Sequence, residues 1–169
     1  MPDACPAFLV RRARSSDLAA VHSLAQGEPL AAAWPVAAYA RYVQSGAAAD
    51  AQVRVLFVAC LIGDTSMPAA VAGFLAASMA SASPCEIENL AVAPALRRCG
   101  IATRLLESVS LWCRAWSAEY PAELWLEVRA GNGPAQAFYR RRGFSVTGYR
   151  PGYYADGEDA VLLGACLRP

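Results

Sequence analysis

The spacing of apolar residues changes at Ile101, and this change constrains the fold more than any other feature of the chain. From Ile101 onward, apolar residues recur at three- and four-residue steps as far as Trp116, which predicts an amphipathic helix. Apolar runs of strand character lie on both sides of this helix, at 86–92 and 124–128. The chain is therefore predicted to form a mixed α/β domain.

The other elements complete a single pattern without a linker, a repeat or a low-complexity segment. We expect strands and helices in the order β, α, α, three strands, α, β, α, β, β, so that residues 1–169 form one domain. The remaining predicted elements are a strand at 8–10, helices starting at Leu18 and at Pro35 (the latter reaching Gly46), a hairpin of 53–62 and 69–79 with its turn at 63–66, a helix at 134–142, and strands at 144–149 and 160–167.

Composition excludes several classes of protein. Hydrophobic residues make up 56% of the 169 and charged residues 17%, which excludes a disordered chain. A net charge of +1 provides no global basic field for nucleic acid, and the run Arg140 to Arg142 is expected at a helix C-terminus, where positive charge is favourable. No apolar run reaches the roughly 18 residues that span a bilayer. Pro2 and Asp3 argue against a secretory signal, so we expect a cytoplasmic protein that binds neither nucleic acid nor membrane.

The cysteine and histidine content argues against metal and triad chemistry. The only histidine, His22, lies on a predicted helix, and no G-x-S-x-G motif accompanies it. No cysteines form a C-x-x-C pair, so we predict no metal site and no disulfide framework. The six thiols are expected to be reduced, several of them buried as small hydrophobic groups: Cys5, Cys60, Cys85, Cys99, Cys113 and Cys166.

A strand, a loop and a helix meet between Leu90 and Ala102. The helix N-terminus leaves backbone N–H groups unpaired, and such groups together with the helix dipole favour an anion. Gly100 would allow the backbone to approach a phosphate, and Arg97 and Arg98 add positive charge. The same spacing also fits a tight strand-to-helix turn with two solvated arginines. The residues alone leave both interpretations open.

This loop resembles the pyrophosphate-binding loop of the GNAT superfamily of acetyltransferases, written [QR]-x-x-G-x-[GA]. Here the pattern is Arg97-Arg98-Cys99-Gly100-Ile101-Ala102, with the alanine that the pattern admits in its last position. A downstream block is similar to one branch of that superfamily, the ribosomal-protein alanine N-terminal acetyltransferases (RimI). The block comprises residues 124–132, Ala137-Phe138-Tyr139, Gly143-Phe144, Tyr153-Tyr154 and Gly157-Glu158-Asp159-Ala160.

The resemblance implies a fold and a co-substrate. We expect a GNAT-type single domain in which flanking helices cover a mixed twisted sheet, with a cofactor cleft between the central strands. Acetyl-coenzyme A would be bound there, and no metal is implied. Asn132 could contact the cofactor or serve only as a helix cap. By resemblance, the cofactor-binding residues are Leu90, Ala91, Val92, Arg97, Arg98, Cys99, Gly100, Ile101, Ala102, Thr103 and Asn132.

Glu127 and Tyr139 are the candidate catalytic residues. A carboxylate in so apolar a strand is costly unless it is hydrated, paired or used, and an amine acceptor needs a proton acceptor at neutral pH. From the residues alone, a salt bridge of Glu127 with an arginine is favoured, whereas the resemblance implies the proton acceptor. Tyr139 could be a core aromatic beside Phe138, and the resemblance implies the proton donor to the leaving thiolate.

Glu88 and Tyr154 are the candidate acceptor-binding residues. Glu88 precedes the cofactor strand and faces either the acceptor amine or solvent, and Tyr154 either lines a groove or ends a strand. The predicted reaction acetylates the α-amino group of a protein, namely a small-subunit ribosomal protein that begins with alanine. The alternatives are a small-amine acetyltransferase and a non-catalytic coenzyme A-binding module. The module is disfavoured because it has no reason to keep both Glu127 and Tyr139.

Overall fold

The order of elements matches the predicted order. The computed structural model describes residues 5–32, 34–44, 52–63, 70–80, 83–116 and 122–167. The predicted turn at 63–66 and the predicted helix end at Gly46 lie wholly or partly outside these ranges. The elements are β1 (Phe8–Arg12), α1 (Leu18–Gln26), α2 (Val36–Gln44), β2 (Gln52–Leu61), β3 (Val71–Ala80), β4 (Cys85–Val92), α3 (Ile101–Trp116), β5 (Ala122–Arg129), α4 (Gly133–Arg140), β6 (Ser145–Arg150) and β7 (Ala160–Leu167).

The strands form one mixed sheet. Its seven strands follow the order β1-β2-β3-β4-β5-β7-β6. Every neighbouring pair is antiparallel except β4 and β5, which are parallel. The predicted α/β class and the mixed sheet are therefore confirmed.

The sheet opens between its two parallel strands. β4 and β5 pair only where Cys85, Glu86 and Ile87 meet residues 124–126. On the other edge of β4, Asn89 pairs with Ala76 while Ile87 pairs with Ala77, which makes Glu88 the extra residue of a β-bulge. A bulge bends its strand and increases the local twist. β4 therefore diverges from β5 beyond Ile87, and a cleft forms in the middle of the sheet.

Helices cover both faces of the sheet. On one face, α3 buries Ile101, Leu105 and Val109 almost completely, as its helical period predicts. On the other face, α1 and α2 bury Val21 and Tyr39 against the strands. None of the helices within the described ranges is long and apolar enough to cross a bilayer.

One prediction about the cysteines is wrong. Cys5 and Cys99 form a disulfide, with their Cα atoms 5.5 Å apart and a sequence separation of 94. Only the folding of the segment before β1 against the loop before α3 brings them together, so local spacing could not reveal the pair. Cys60, Cys85 and Cys113 form no disulfide and are buried, as predicted, whereas Cys166, which also forms none, is exposed.

Candidate functional site

A cavity of about 380 Å³ opens where β4 and β5 diverge. The sheet supplies its floor from both strands, and α4 and the segment between α1 and α2 supply walls. The loop between β6 and β7 closes one side. The lining residues are Leu30, Ala31, Ala32, Trp34, Glu86, Ile87, Glu88, Asn89, Leu90, Leu126, Glu127, Val128, Arg129, Asn132, Ala135, Tyr139, Tyr153 and Tyr154.

The predicted pyrophosphate loop leads through two residues of left-handed backbone into the N-terminus of α3. Arg98 and Gly100 have positive φ angles of 69° and 81°, and α3 begins directly afterwards at Ile101. The first turn of α3 contains no acidic residue, so its N–H groups and dipole are not neutralised locally. A Cβ at Gly100 would meet no atom within 4 Å, so the left-handed backbone, rather than crowding, is what favours glycine there.

The two arginines of this loop differ in their contacts. Arg97 forms an ion pair with Glu28, and its Nε donates to the carbonyl of Val92 at 3.4 Å. Within the described ranges, Arg98 forms no ion pair, and it is exposed. Cys99 lies between Arg98 and Gly100 and is tied to Cys5. The charge of Arg98 is therefore available to an anion, whereas that of Arg97 is already paired.

Arg142 lies close to the same loop, which the sequence did not suggest. Its guanidinium donates to the hydroxyl of Thr103 on the first turn of α3 and stacks 3.9 Å from the ring centre of Phe138. Burial lowers the pKa of Arg142. The run Arg140 to Arg142 does stand at the end of α4, as predicted. Its last member, however, also reaches the helix that carries the candidate cofactor loop.

Glu127 lies on the cavity side of β5. Leu126 and Val128 beside it are buried on the opposite face, which confirms the predicted alternation. Its Oε1 is 3.0 Å from the Nε of Arg150, and the hydroxyl of Tyr153 donates to its carboxylate, which raises the pKa of Tyr153. The salt bridge favoured from the residues alone is thus present. It occurs inside the cavity in which the resemblance expects a proton acceptor.

The cavity has a negative end. Burial and the charges of Glu88 and Glu127 raise the pKa of Glu86, and Arg150 opposes them. Glu88 accepts a hydrogen bond of 2.7 Å from the hydroxyl of Tyr42. Three carboxylates around one cavity attract a cation, and an ammonium group is the form that most amine acceptors take at neutral pH.

Tyr139 lines the same cavity from α4. The residue is 5% exposed, and its ring packs edge-on against Phe138 and Phe144. Burial raises its pKa, so the side chain remains a neutral phenol at physiological pH. Among the described residues, none accepts a hydrogen bond from its hydroxyl. Tyr139 is therefore a core aromatic whose hydroxyl has no hydrogen-bond acceptor within the described ranges.

Asn132 and Tyr154 also reach the cavity. The Oδ1 of Asn132 caps α4 by accepting from the N–H of Ala135 at 3.1 Å, the local role considered for it. The ring of Tyr154 lies under the guanidinium of Arg129, 4.0 Å from its ring centre. Arg129 in turn pairs with Glu158 at 2.7 Å, so the turn at 157–160 holds Tyr154 in place.

Three residues of the site were missed at the sequence level. Trp34 forms part of the wall between α1 and α2, Asn89 fastens that wall by donating to the carbonyl of Ala32 at 2.8 Å, and Arg150 pairs with Glu127. An amide inside an apolar strand was a usable signal for Asn89, because buried polar groups need partners. The other two depend on contacts between residues distant in sequence.

Comparison with known proteins identifies the family. Residues 18–144 match the acetyltransferase (GNAT) family. The chain belongs to this family. The bulged β4, the cleft beside it and the loop before α3 are thus features of a GNAT domain.

Two curated relatives show the branch to which this GNAT chain is similar. It is 44% identical over 83 residues to an N-alpha-acetyltransferase of Saccharolobus solfataricus, a match covering 48% of each chain. It is 40% identical over 78 residues to the [ribosomal protein bS18]-alanine N-acetyltransferase of Escherichia coli, covering 44% of this chain and 51% of that one. The chain therefore spans about half the length of the curated relatives it matches.

Solved structures extend the likeness over nearly the whole fold. The ribosomal-protein-S18-alanine N-acetyltransferase of Escherichia coli superimposes with a TM-score of 0.71 at 25% identity, covering 96% of both chains. Ard1 from Thermoplasma volcanium superimposes with a TM-score of 0.79 at 24% identity, covering 96% of this chain and 99% of that one. At that identity, the second likeness concerns the fold alone.

Proposed function

We propose that this GNAT protein transfers an acetyl group from acetyl-coenzyme A to the α-amino group of a protein N-terminus. The observation that carries the proposal is the cavity at the divergence of β4 and β5. It brings Glu127 and Tyr139 together beside the strand that leads into the loop of Arg98 and Gly100. The names of the two curated relatives support an N-terminal acceptor.

The cofactor side has the donors that acetyl-coenzyme A requires. Its pyrophosphate would accept from the N–H groups of residues 99–103, with Arg98 as the nearby cation. Its pantetheine arm would pair with the backbone of residues 90–92, which face the cleft where β5 diverges. Asn132 would contact the arm while it caps α4. The thioester supplies an activated acetyl group.

On the acceptor side, Glu127 and Tyr139 divide the proton transfers. Glu127 accepts a proton from the acceptor ammonium, directly or through water, and the neutral amine attacks the thioester carbonyl. The C–N bond forms, the C–S bond breaks and the sulfur leaves as a thiolate, while the nitrogen loses its second proton to solvent water. Tyr139, kept neutral by burial, donates its proton to that sulfur.

The acceptor that we propose is an N-terminus beginning with alanine on a small-subunit ribosomal protein. Glu88 and Tyr154 would line its binding groove, and the carboxylates of the cavity would attract its ammonium group. The relative from Escherichia coli, whose name specifies an alanine acceptor on a ribosomal protein, supports this choice. Such an acceptor places the reaction in the cytoplasm, where reductants keep most thiols free.

A peptide panel tests the proposal. The protein and acetyl-coenzyme A are mixed with peptides that differ only in their first residue, and with spermidine and free lysine, and products are identified by mass spectrometry. We expect acetylation of the alanine peptide and little of either small amine. Faster turnover of spermidine than of any peptide would assign the chain to small-amine acetylation. Binding of coenzyme A with no acetylated product would support a non-catalytic module.

A further inference from the structure

Glu28 is a buried carboxylate that has a single partner in the part of the chain that the structure describes. It lies between α1 and the wall of the cavity, and its residue is 9% exposed. One carboxylate oxygen pairs with Arg97, and the other has no hydrogen-bond partner among the described residues. A buried charge is costly unless compensated, so the position of Glu28 depends on Arg97.

Glu28 also starts the wall on which the acceptor would lie. We call Leu30, Ala31, Ala32 and Trp34 the acceptor wall. The carbonyl of Glu28 accepts from the N–H of Ala31 at 3.0 Å, which closes the turn into this wall. The wall is held farther along by Asn89 of β4, through Ala32. Its fastenings therefore include β4 and the loop that follows it.

Arg97 occupies the other end of this connection. It is the first residue of the candidate pyrophosphate loop, and its side chain leaves the loop in the direction of Glu28. The next residue, Arg98, has the left-handed backbone of the anion site and no ion pair within the described ranges. The side chains of the two adjacent arginines thus differ, because that of Arg97 pairs with Glu28 and that of Arg98 is exposed.

We propose that the Glu28–Arg97 ion pair couples the cofactor loop to the acceptor wall, so that a bound cofactor strengthens acceptor binding. The coupling rests on the proposed function. An anion on the loop amides fixes the backbone at Arg97, which fixes Glu28 and the turn to Ala31. The acceptor then meets a wall that is already ordered and loses less conformational freedom on binding. Arg97 and Glu28 are positioning residues, and Arg98 is the phosphate contact.

Hydrogen exchange tests the connection without an acceptor. In the wild type, coenzyme A should slow exchange of the backbone amides both in the first turn of α3 and in the acceptor wall. In Glu28→Gln, an isosteric change, protection of α3 should remain and protection of the wall should be lost. Arg97→Lys, which keeps a cation beside Glu28, should retain part of the protection of the wall. Wall amides that coenzyme A leaves unprotected in the wild type, or protects equally in Glu28→Gln, would overturn the proposal.

Binding measurements give the size of the coupling. The affinity of an alanine-starting peptide is measured by calorimetry with and without saturating coenzyme A. The wild type should show a gain within the range of about 5- to 150-fold that is usual for coupled sites. Glu28→Gln and Arg97→Ala should show almost no gain, and the coenzyme A affinity of Glu28→Gln should change little. Arg98→Ala should weaken coenzyme A binding but keep the gain at saturation.

The pattern of results separates the coupling from the proposed function. One outcome is that Arg97→Ala weakens coenzyme A binding as much as Arg98→Ala does, while saturating coenzyme A still protects the wall amides of the Arg97→Ala variant. In that case Arg97 is a phosphate ligand and the coupling is refuted. If exchange shows the coupling but no peptide is bound or acetylated, the proposed acceptor is wrong and the coupling stands.

Discussion

Glu127 has two partners with which the ammonium group of an acceptor has to compete. Arg150 pairs with its carboxylate, and the hydroxyl of Tyr153 donates to it. An incoming ammonium group is a cation like Arg150, so it can take the same place beside the carboxylate. The ion pair with Arg150 is compatible with a catalytic role, and a rate measurement decides whether Glu127 is catalytic or structural.

Glu127→Gln should keep coenzyme A affinity and lose roughly 10²- to 10⁴-fold in rate, the usual contribution of a general base. The loss should shrink as the pH rises, because more of the acceptor amine is then already neutral. Steady-state rates across a pH series measure both effects. Glu123→Gln, on the same strand, is the control and should leave the rate unchanged. Wild-type turnover in Glu127→Gln at neutral pH would make this residue structural.

Tyr139→Phe removes one hydroxyl and leaves the ring packed against Phe138 and Phe144. We expect acceptor affinity and folding to be retained and turnover to fall by about 10²-fold or more, as for loss of a general acid. Single-turnover kinetics measures the chemical step. Tyr149→Phe, at a residue that is 67% exposed, is the matched control. Equal single-turnover rates in wild type and Tyr139→Phe would remove Tyr139 from the mechanism.

At the scale of elements, we expect the loop before α3 to determine cofactor binding. Gly100→Glu and Gly100→Gln introduce the same left-handed strain, at a cost of about 1–2 kcal/mol, and differ only in charge. The carboxylate variant should bind coenzyme A at least about tenfold more weakly than the amide variant, an extra 1.4 kcal/mol of repulsion. Calorimetry measures both. Equal affinities would mean that no phosphate lies near Gly100.

Asp17 fastens the start of α1 to β1. It accepts from the guanidinium of Arg11 at 2.7 and 2.9 Å and from the N–H of Arg14 at 2.7 Å, and it is buried. Asp17→Asn should lower the free energy of unfolding by about 2–3 kcal/mol, because a buried charged pair is broken. Urea denaturation measures the change. Glu107→Gln, at an exposed ion pair with Arg104, should change it by no more than about 0.5 kcal/mol.

The effect of Asp17→Asn should also depend on pH. The hydrogen bonds from Arg11 and from the Arg14 N–H hold the pKa of Asp17 below its ordinary value. A depressed carboxyl pKa contributes stability above the pKa of the unfolded chain, and this stability is lost as the pH falls through the folded value. The difference between wild type and variant should therefore be full at neutral pH and shrink in acid. A difference that stays constant into acid would mean that the carboxylate charge contributes nothing.

The sequence predicted those elements whose signal is local. The helical spacing from Ile101 and the alternation around Glu127 correspond to α3 and β5, because both patterns reflect a single element facing a core. The bulge at Glu88, the partner of Arg97 and the partner of Glu127 were not predictable in this way. Each depends on strand register or on contacts between residues distant in sequence, and the spacing of residues within one segment does not predict such contacts.

At the scale of the whole molecule, the disulfide closes a loop with a sequence separation of 94. Such a bond restricts the unfolded chain, and removing one typically costs roughly 2–5 kcal/mol. Cys5→Ser should therefore unfold at a lower urea concentration than wild type, and a reductant should bring the wild type to the same midpoint. Cys166→Ser, at an exposed free cysteine, should leave the midpoint unchanged. A midpoint insensitive to reductant would mean that the bond is absent or contributes nothing.

The same bond divides the chain into a covalently closed part and a part outside it. Residues 5–99 form a covalent ring that contains β1 to β4 and both helices of one face, whereas β5, β6 and β7 belong to an open tail. The ring ends at the loop before α3, and the cleft of the sheet lies between ring and tail. A single backbone cut within the ring releases no fragment until a reductant breaks the disulfide. A single cut in the tail releases a fragment at once under denaturing conditions.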